Sequence, residues 1–299
     1  MKNILHIITD AFSRESTNGN FYAANWFLRR FYYRFVKKKL PESLAPTRAD
    51  LERSITVVIP AVDKDADVLV QCLASVQKFI QNKITAIWVV APESTRIRAI
   101  ASAANVTFVP EDQLLPLPAA ALKTRGWVLQ QLIKLNACRH VETTDYLVLD
   151  SDTIFLRPQN FYYKGRSVLR YSDQYELLYG RSLEMIFGHS RRFPVSFVTH
   201  HMLFDAAVVG ELLQMIEARF DRPWWEAILL EVDQGRPISF SEFELYGHFL
   251  LTRNNWKNRF CLQYWHGIDR KSEDLPELES IQKSAAGQFN TVSYHWHTE

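Results

Sequence analysis

The chain has 299 residues, with 47% hydrophobic and 23% charged residues, so the bulk of it is globular rather than disordered or fibrous. Thirty-five Lys and Arg against 33 Asp and Glu leave a formal charge of +2, without the basic excess of a general nucleic-acid binder. The three cysteines, Cys72, Cys138 and Cys261, lie far apart and form no CxxC pair, which excludes a disulfide framework and a cysteine zinc site and suits a reducing compartment.

Residues 21–39 read FYAANWFLRRFYYRFVKKK. Six basic residues between Arg29 and Lys39 are interleaved with Phe31, Tyr32, Tyr33 and Phe35, with no acid among them. On a helix, Phe27, Phe31 and Phe35 form one aromatic stripe flanked by cations. That composition suits a helix lying on an anionic inner-membrane surface, or one packed on its own domain with solvated lysines at its end. The opening Met1–Asp10 is too short and too polar for a signal peptide, and no apolar run approaches the roughly 20 residues that span a bilayer. The expected location is the cytoplasm, peripheral on the inner membrane if the stripe binds lipid. Pro41, Ser43 and Pro46 mark a linker, so the segment 1–50 stands apart from a domain over 51–299.

The run 55–60 (ITVVIP) is apolar and rich in β-branched residues, as in a strand buried on both faces. Asp63, Asp65 and Asp67 follow it in a loop, and 68–81 reads as a helix. The pattern repeats with a strand at 84–91, a helix at 94–104, a strand at 105–109, a helix at 122–140 and a strand at 145–149. This alternation predicts an α/β domain with a mostly parallel central sheet and helices on both faces, whose ligands bind at the carboxyl ends of the strands. Beyond residue 160 the pattern loosens, with strands expected at 196–204, 260–265 and 289–296 and helices at 206–219 and 241–252.

The chemistry concentrates after the fourth strand, in Leu149-Asp150-Ser151-Asp152-Thr153. Two carboxylates two residues apart point the same way on extended backbone and need a cation between them. A divalent Mg²⁺ or Mn²⁺ answers this, sharing its shell with substrate phosphates, whereas the plain alternative is a turn after a strand. On the helix 122–140, Trp127, Gln131 and Lys134 share a face, and Lys134 can meet a phosphate as a point charge.

Asp150-Ser151-Asp152 after a hydrophobic strand resembles the D-x-D motif of the GT-A-fold, nucleotide-sugar-dependent glycosyltransferases, and the string from Leu149 to Pro158 is similar to its usual context. The segment Gly126–Leu135 resembles the one preceding that motif in bacterial polysaccharide-associated proteins of the DUF6492 type. The resemblance implies a GT-A (Rossmann-like) fold with a nucleotide-sugar half over 51–158 and an acceptor half over 159–299. It implies transfer of a sugar from a nucleoside diphosphate sugar, most simply UDP-linked, to a hydroxyl of a bacterial surface glycan or a lipid-linked oligosaccharide. It also implies Asp152 as the main metal ligand, Asp150 as a donor contact or outer ligand, and a C-terminal histidine, His266, His295 or His297, completing the metal shell. His266 heads that group. Asp63, in the loop after the first strand, is the candidate for the donor's base or ribose, and Gln131 and Lys134 are further donor-binding candidates.

On the acceptor side stand His201, on an expected strand, and Glu242 and Glu244, which follow Ser241. The serine reads as an N-cap with first-turn acids, and either glutamate can serve as the general base of an inverting transferase. Two other readings remain open. In a haloacid-dehalogenase-like phosphohydrolase the first aspartate would be a nucleophile, but there the motif sits on the first strand, whereas here it follows the fourth. The chain can also be a non-catalytic partner in polysaccharide assembly. With only ten glycines and no G-x-G-x-x-G or P-loop after a strand, nicotinamide and P-loop chemistry are excluded.

Overall fold

The computed structural model describes residues 45–299 apart from 119–120, 122–125, 173–175, 190–194, 234–239, 254–255, 266, 272–274, 286–288 and 296–299. The basic, aromatic stretch 21–39, His266 and His297 lie outside the described residues. Strands β1 (Ser54–Pro60), β2 (Lys83–Ala91), β3 (Thr107–Pro110) and β4 (Asp145–Leu149) form a parallel sheet in the order β3-β2-β1-β4. The apolar runs and β-branched residues produce these strands because both faces are covered. Ile55, Val57 and Ile59 of β1 and Leu147 and Leu149 of β4 face helices α1 (Ala66–Phe79) and α2 (Thr95–Ala103). Val58, Tyr146 and Val148 face the opposite core, built with α3 (Gly126–Asn136).

The parallel run ends where the chain turns back. The short β5 (Thr153–Phe155) follows at once, then the hairpin β6 (Tyr162–Tyr163) and β7 (Arg166–Tyr171), and helix α4 (Leu177–Phe187). Strand β8 (His201–Asp205) joins the edge of the main sheet antiparallel to β4, with Leu149 opposite His201. The expected strand over 196–204 is thereby shortened. His200 has φ 61°, a left-handed conformation that breaks an extended run. Helices α5 (Ala206–Phe220) and α6 (Glu242–Thr252) complete the second core. Strand β9 (Phe260–Tyr264) pairs parallel to β7. Strand β10 (Gly267–Lys271) pairs parallel to β11 (Thr291–His295), which runs antiparallel to β5 with Ser293 opposite Thr153; helix α7 (Leu278–Ala285) lies between β10 and β11 in the chain. Among the described residues, no helix is long and apolar enough to cross a membrane.

One buried carboxylate holds the start of the domain to the β6–β7 hairpin. Asp50 closes a capping box with Thr47 and accepts hydrogen bonds from the backbone N–H groups of Lys164 (2.9 Å) and Gly165 (2.8 Å). Both turn residues have positive φ, as a two-residue type I′ turn requires. Burial works against its charge, but these donors outweigh burial and hold the Asp50 carboxyl below the ordinary aspartate value. A depressed carboxylate stabilises above its unfolded pKa, about 3.9, and that contribution is lost as pH falls through the folded value. Asp50→Ala is therefore expected to cost about 1.5–3 kcal/mol at pH 7, read from urea unfolding. The difference from wild type should shrink as the pH is lowered below about 4.

Candidate active site

The order β3-β2-β1-β4 reverses chain direction across the sheet between β1 and β4, and a crevice opens there outside their carboxyl ends. A cavity of about 260 Å³ occupies it, lined among others by Asp65, Trp127, Lys134, Asp150, Asp152, Tyr179, His200, Glu242 and His295.

Strand alternation distributes the first of these groups. Asp150 continues the side of Tyr146 and Val148, so it faces α3, while Ser151 faces the other way. The Ser151 hydroxyl donates to Asp65 (3.1 Å), tying the loop after β4 to the loop after β1. Burial, helped by the charges of Asp152 and Asp150, raises the Asp65 carboxyl, against the pull of Lys64. Asp63 sits elsewhere: Asp63–Asp65 form a short 3-10 turn, and the Asp63 carboxylate accepts from Ser94 (2.5 Å), at the N-cap of α2, outside the cavity lining.

Lys134 is 3% exposed. Its ammonium donates to Asp150 Oδ1 and to Glu242 Oε1 (2.6 Å) and lies 4.6 Å above the Phe243 ring. Burial alone lowers a lysine, but Asp150 and Glu242 outweigh it and hold Lys134 charged. Burial also acts on Asp150, yet Lys134 and His200 keep it well below the ordinary carboxylate range. Glu242 is raised, because burial and the like charge of Asp150 exceed what Lys134 returns. Gln131 also lines the cavity, and its Oε1 accepts from the Glu242 backbone N–H (3.1 Å), which fixes the start of α6 against α3. Ser241 caps the same helix by accepting from Glu244 N–H (3.4 Å).

The two glutamates part at this point. Glu242 lines the cavity; Glu244 accepts from Ser196 Oγ (2.5 Å) and from Phe197 N–H (3.2 Å), and pairs with His248 (3.0 Å) inside the core. His201 is likewise interior, packed edge-on to Phe155 and Phe161 beside Arg170, and burial with Arg170 lowers it well below the ordinary histidine value. Its neighbour His200 faces the site instead.

Antiparallel pairing assembles the remaining residues. With β8 antiparallel to β4, His200 arrives beside Asp150, and its Nδ1 lies 3.1 Å from Asp150 Oδ2. With β11 antiparallel to β5, His295 arrives beside Asp152, and its Nδ1 lies 3.0 Å from Asp152 Oδ2. Asp269, on β10 opposite Ser293, brings Oδ1 to 3.5 Å from Nε2 of both imidazoles. Burial lowers both rings, but their carboxylates prevail and raise His200 to about 9 and His295 to about 10. Between the same two rings Asp269 stays charged far below the ordinary range, against its burial. Asp269 carries no local sequence signal, and of the pair His200-His201 the sequence favours His201, whereas it is His200 that reaches the site.

The donor set of oxygen and imidazole nitrogen suits a divalent metal. Among the described residues, His200 Nε2 is buried without a hydrogen-bond partner, which a bound cation would remedy.

Residues 52–296 match the model of a family of unknown function, DUF6492. The chain belongs to that family. No curated protein matches the chain. Among solved structures, a mycobacterial protein overlaps 58% of this chain and 64% of its own at 18% identity and TM-score 0.38. The glucosyl-3-phosphoglycerate synthase of Mycobacterium tuberculosis, in complex with Mn²⁺, UDP and phosphoglyceric acid, overlaps 61% of this chain and 71% of its own at 16% identity and TM-score 0.39. The galactosyltransferase LgtC, in complex with donor and acceptor sugar analogues, overlaps 82% and 90% at 12% identity and TM-score 0.42.

Proposed function

We propose that the chain is a metal-dependent glycosyltransferase that moves a sugar from a nucleoside diphosphate sugar, UDP-linked in the simplest case, to a hydroxyl of a bacterial surface glycan or lipid-linked oligosaccharide. One observation carries the reading: at the crevice between β1 and β4, the D-x-D carboxylates meet two imidazoles and a third carboxylate around a cavity that also holds Lys134 and Glu242. His200, Asp269 and His295, with Asp150 and Asp152 bonded to the two imidazoles, are the groups that would hold Mn²⁺ or Mg²⁺. Bound there, the metal supplies positive charge to a leaving diphosphate, worth several kcal/mol of transition-state stabilisation.

The protein's own groups divide the remaining work. Asp65, which lines the cavity where Asp63 does not, is the candidate to accept from the donor's ribose hydroxyls. Lys134 holds Asp150 and Glu242 in fixed orientation. Glu242, raised by burial, is the carboxylate suited to take the acceptor's proton. The basic, aromatic stretch 21–39 suits an acceptor carried at an anionic membrane surface. The phosphohydrolase alternative needs an Asp150 oxygen open to attack phosphorus, and both oxygens are engaged, by Lys134 and by His200.

Donor hydrolysis across UDP-, GDP-, CMP- and dTDP-sugars, with Mn²⁺, Mg²⁺ or EDTA, tests the proposal. One donor should be consumed only with metal. Asp152→Ala should slow it at least 10- to 100-fold by removing the carboxylate that orients His295. No binding or turnover of any donor under any metal would sink the proposal.

A further inference from the structure

On each imidazole of the cluster Nδ1 is within hydrogen-bond reach of one carboxylate and Nε2 faces another at 3.5 Å. Nδ1 of His200 faces Asp150, at 3.1 Å, and Nδ1 of His295 faces Asp152, at 3.0 Å. A carboxylate only accepts, so each Nδ1 carries the proton it donates. In a neutral imidazole Nε2 is then a lone pair. Both Nε2 atoms point at one oxygen, Asp269 Oδ1, at 3.5 Å each. Once a cation displaces the Nε2 protons, three electron-pair donors face one another, their ligand atoms all within 4.8 Å. His200 is 8% exposed, and its Nε2 makes no hydrogen bond among the described residues. The position is maintained by a residue in the left-handed region, at φ 61°, which holds the ring between Asp150 and Asp269 at a backbone cost.

We infer that a divalent cation is bound directly by His200 Nε2, His295 Nε2 and an Asp269 oxygen, and that the D-x-D carboxylates Asp150 and Asp152 are the outer partners that orient the two imidazoles. Ligands bound at 2.0–2.2 Å with near-right-angle or tetrahedral spacing stand about 3.0–3.5 Å apart, the separation found from each imidazole to Asp269. The carboxylate–imidazole–metal order fixes tautomer and ring orientation and raises ligand basicity. Two imidazoles and one carboxylate leave open positions for substrate oxygens. They favour Mn²⁺, Fe²⁺, Co²⁺ or Zn²⁺ over Mg²⁺. The site deepens the transferase proposal by assigning its metal, yet the ligand set can be tested without any sugar donor.

The experiment uses Mn²⁺ as the probe, alone and with inorganic pyrophosphate, on the full chain. Calorimetry reads affinity, and pulsed electron paramagnetic resonance reads nitrogen couplings to bound Mn²⁺. Wild type should show two imidazole nitrogens. His200→Ala should show one, and Asp269→Asn, at the more exposed ligand, should lose measurable binding while keeping its melting temperature. Asp152→Asn should keep both nitrogen couplings and lose only about 10- to 100-fold in affinity, as an outer partner does. The inference is overturned if Asp152→Asn abolishes binding while His200→Ala leaves the couplings unchanged, or if no Mn²⁺ binds with or without pyrophosphate. Mn²⁺ binding as expected with no donor turnover would overturn the transferase reading and leave the metal site standing.

Discussion

Replacing Lys134 with methionine is expected to destabilise the protein by about 3–5 kcal/mol at pH 7, read from urea or thermal unfolding. The magnitude follows from what is left behind. The volume of the side chain is kept, but Glu242, 2% exposed, loses the ammonium 2.6 Å away, and Asp150 loses one of its two cationic partners. An uncompensated buried carboxylate takes up a proton in the folded state. Its folded pKa then lies above its unfolded value, so the variant loses further stability as pH rises above about 4.3 and recovers part of it below. The double variant Lys134→Met with Glu242→Gln should regain part of the loss, with a coupling of about 0.5–3 kcal/mol. A destabilisation under 1 kcal/mol would mean that the ammonium does not neutralise the pair. A buried ion triad is seldom the most stable filling for such a space, because desolvation offsets much of the attraction. Its presence on the cavity wall fits a site that needs fixed charge there more than it needs stability.

The half of the site built on parallel strands was readable from the sequence. The runs at 55–60 and 145–149 are apolar enough to mark strands buried on both faces, and the carboxylates following the second lie at a carboxyl end where ligands bind. Helical spacing singled out Lys134, though as a phosphate contact, and Glu242 was named together with Glu244; the structure parts them, with Glu242 on the cavity wall and Glu244 bonded within the core. The other half depends on long-range pairing, which local pattern does not encode. Of the three C-terminal histidines the sequence put His266 first, and the antiparallel register of β11 with β5 is what sets His295 beside Asp152. His200 and His201 are neighbours in a run that reads as one strand. The left-handed backbone at His200 turns one ring to the site and leaves the other in the core. Asp269 sits on a short, half-polar strand with no motif around it, and the 3-10 turn after β1 puts Asp65 rather than Asp63 on the cavity wall.

Glu242→Gln is expected to slow donor hydrolysis, with water in place of the acceptor hydroxyl, by about 10²- to 10⁴-fold, the range of a lost general base. The substitution is close to isosteric. Glutamine can still accept from Lys134, and Ser241 still caps α6, so folding and donor affinity should change little. A purely structural glutamate would give the opposite result, with a lower melting temperature and intact turnover. The pH profile separates the two further. In the wild type, activity should fall on the acid side as Glu242 takes up a proton, at a pH above the ordinary glutamate range because burial raises it. That acid limb should be absent from the residual activity of the variant. Glu242→Ala should be partly restored by formate, a small carboxylate that can enter the cavity. Glu244→Gln supplies the contrast, since Glu244 bonds Ser196 and the Phe197 backbone within the core: it should lower stability and leave the acid limb in place. If Glu242→Gln keeps hydrolysis within about threefold of wild type, less than 1 kcal/mol of barrier, no base acts at that position. A retaining reaction, which does not ask a protein carboxylate to deprotonate the acceptor, would then account better for a cavity whose charges gather on the donor side.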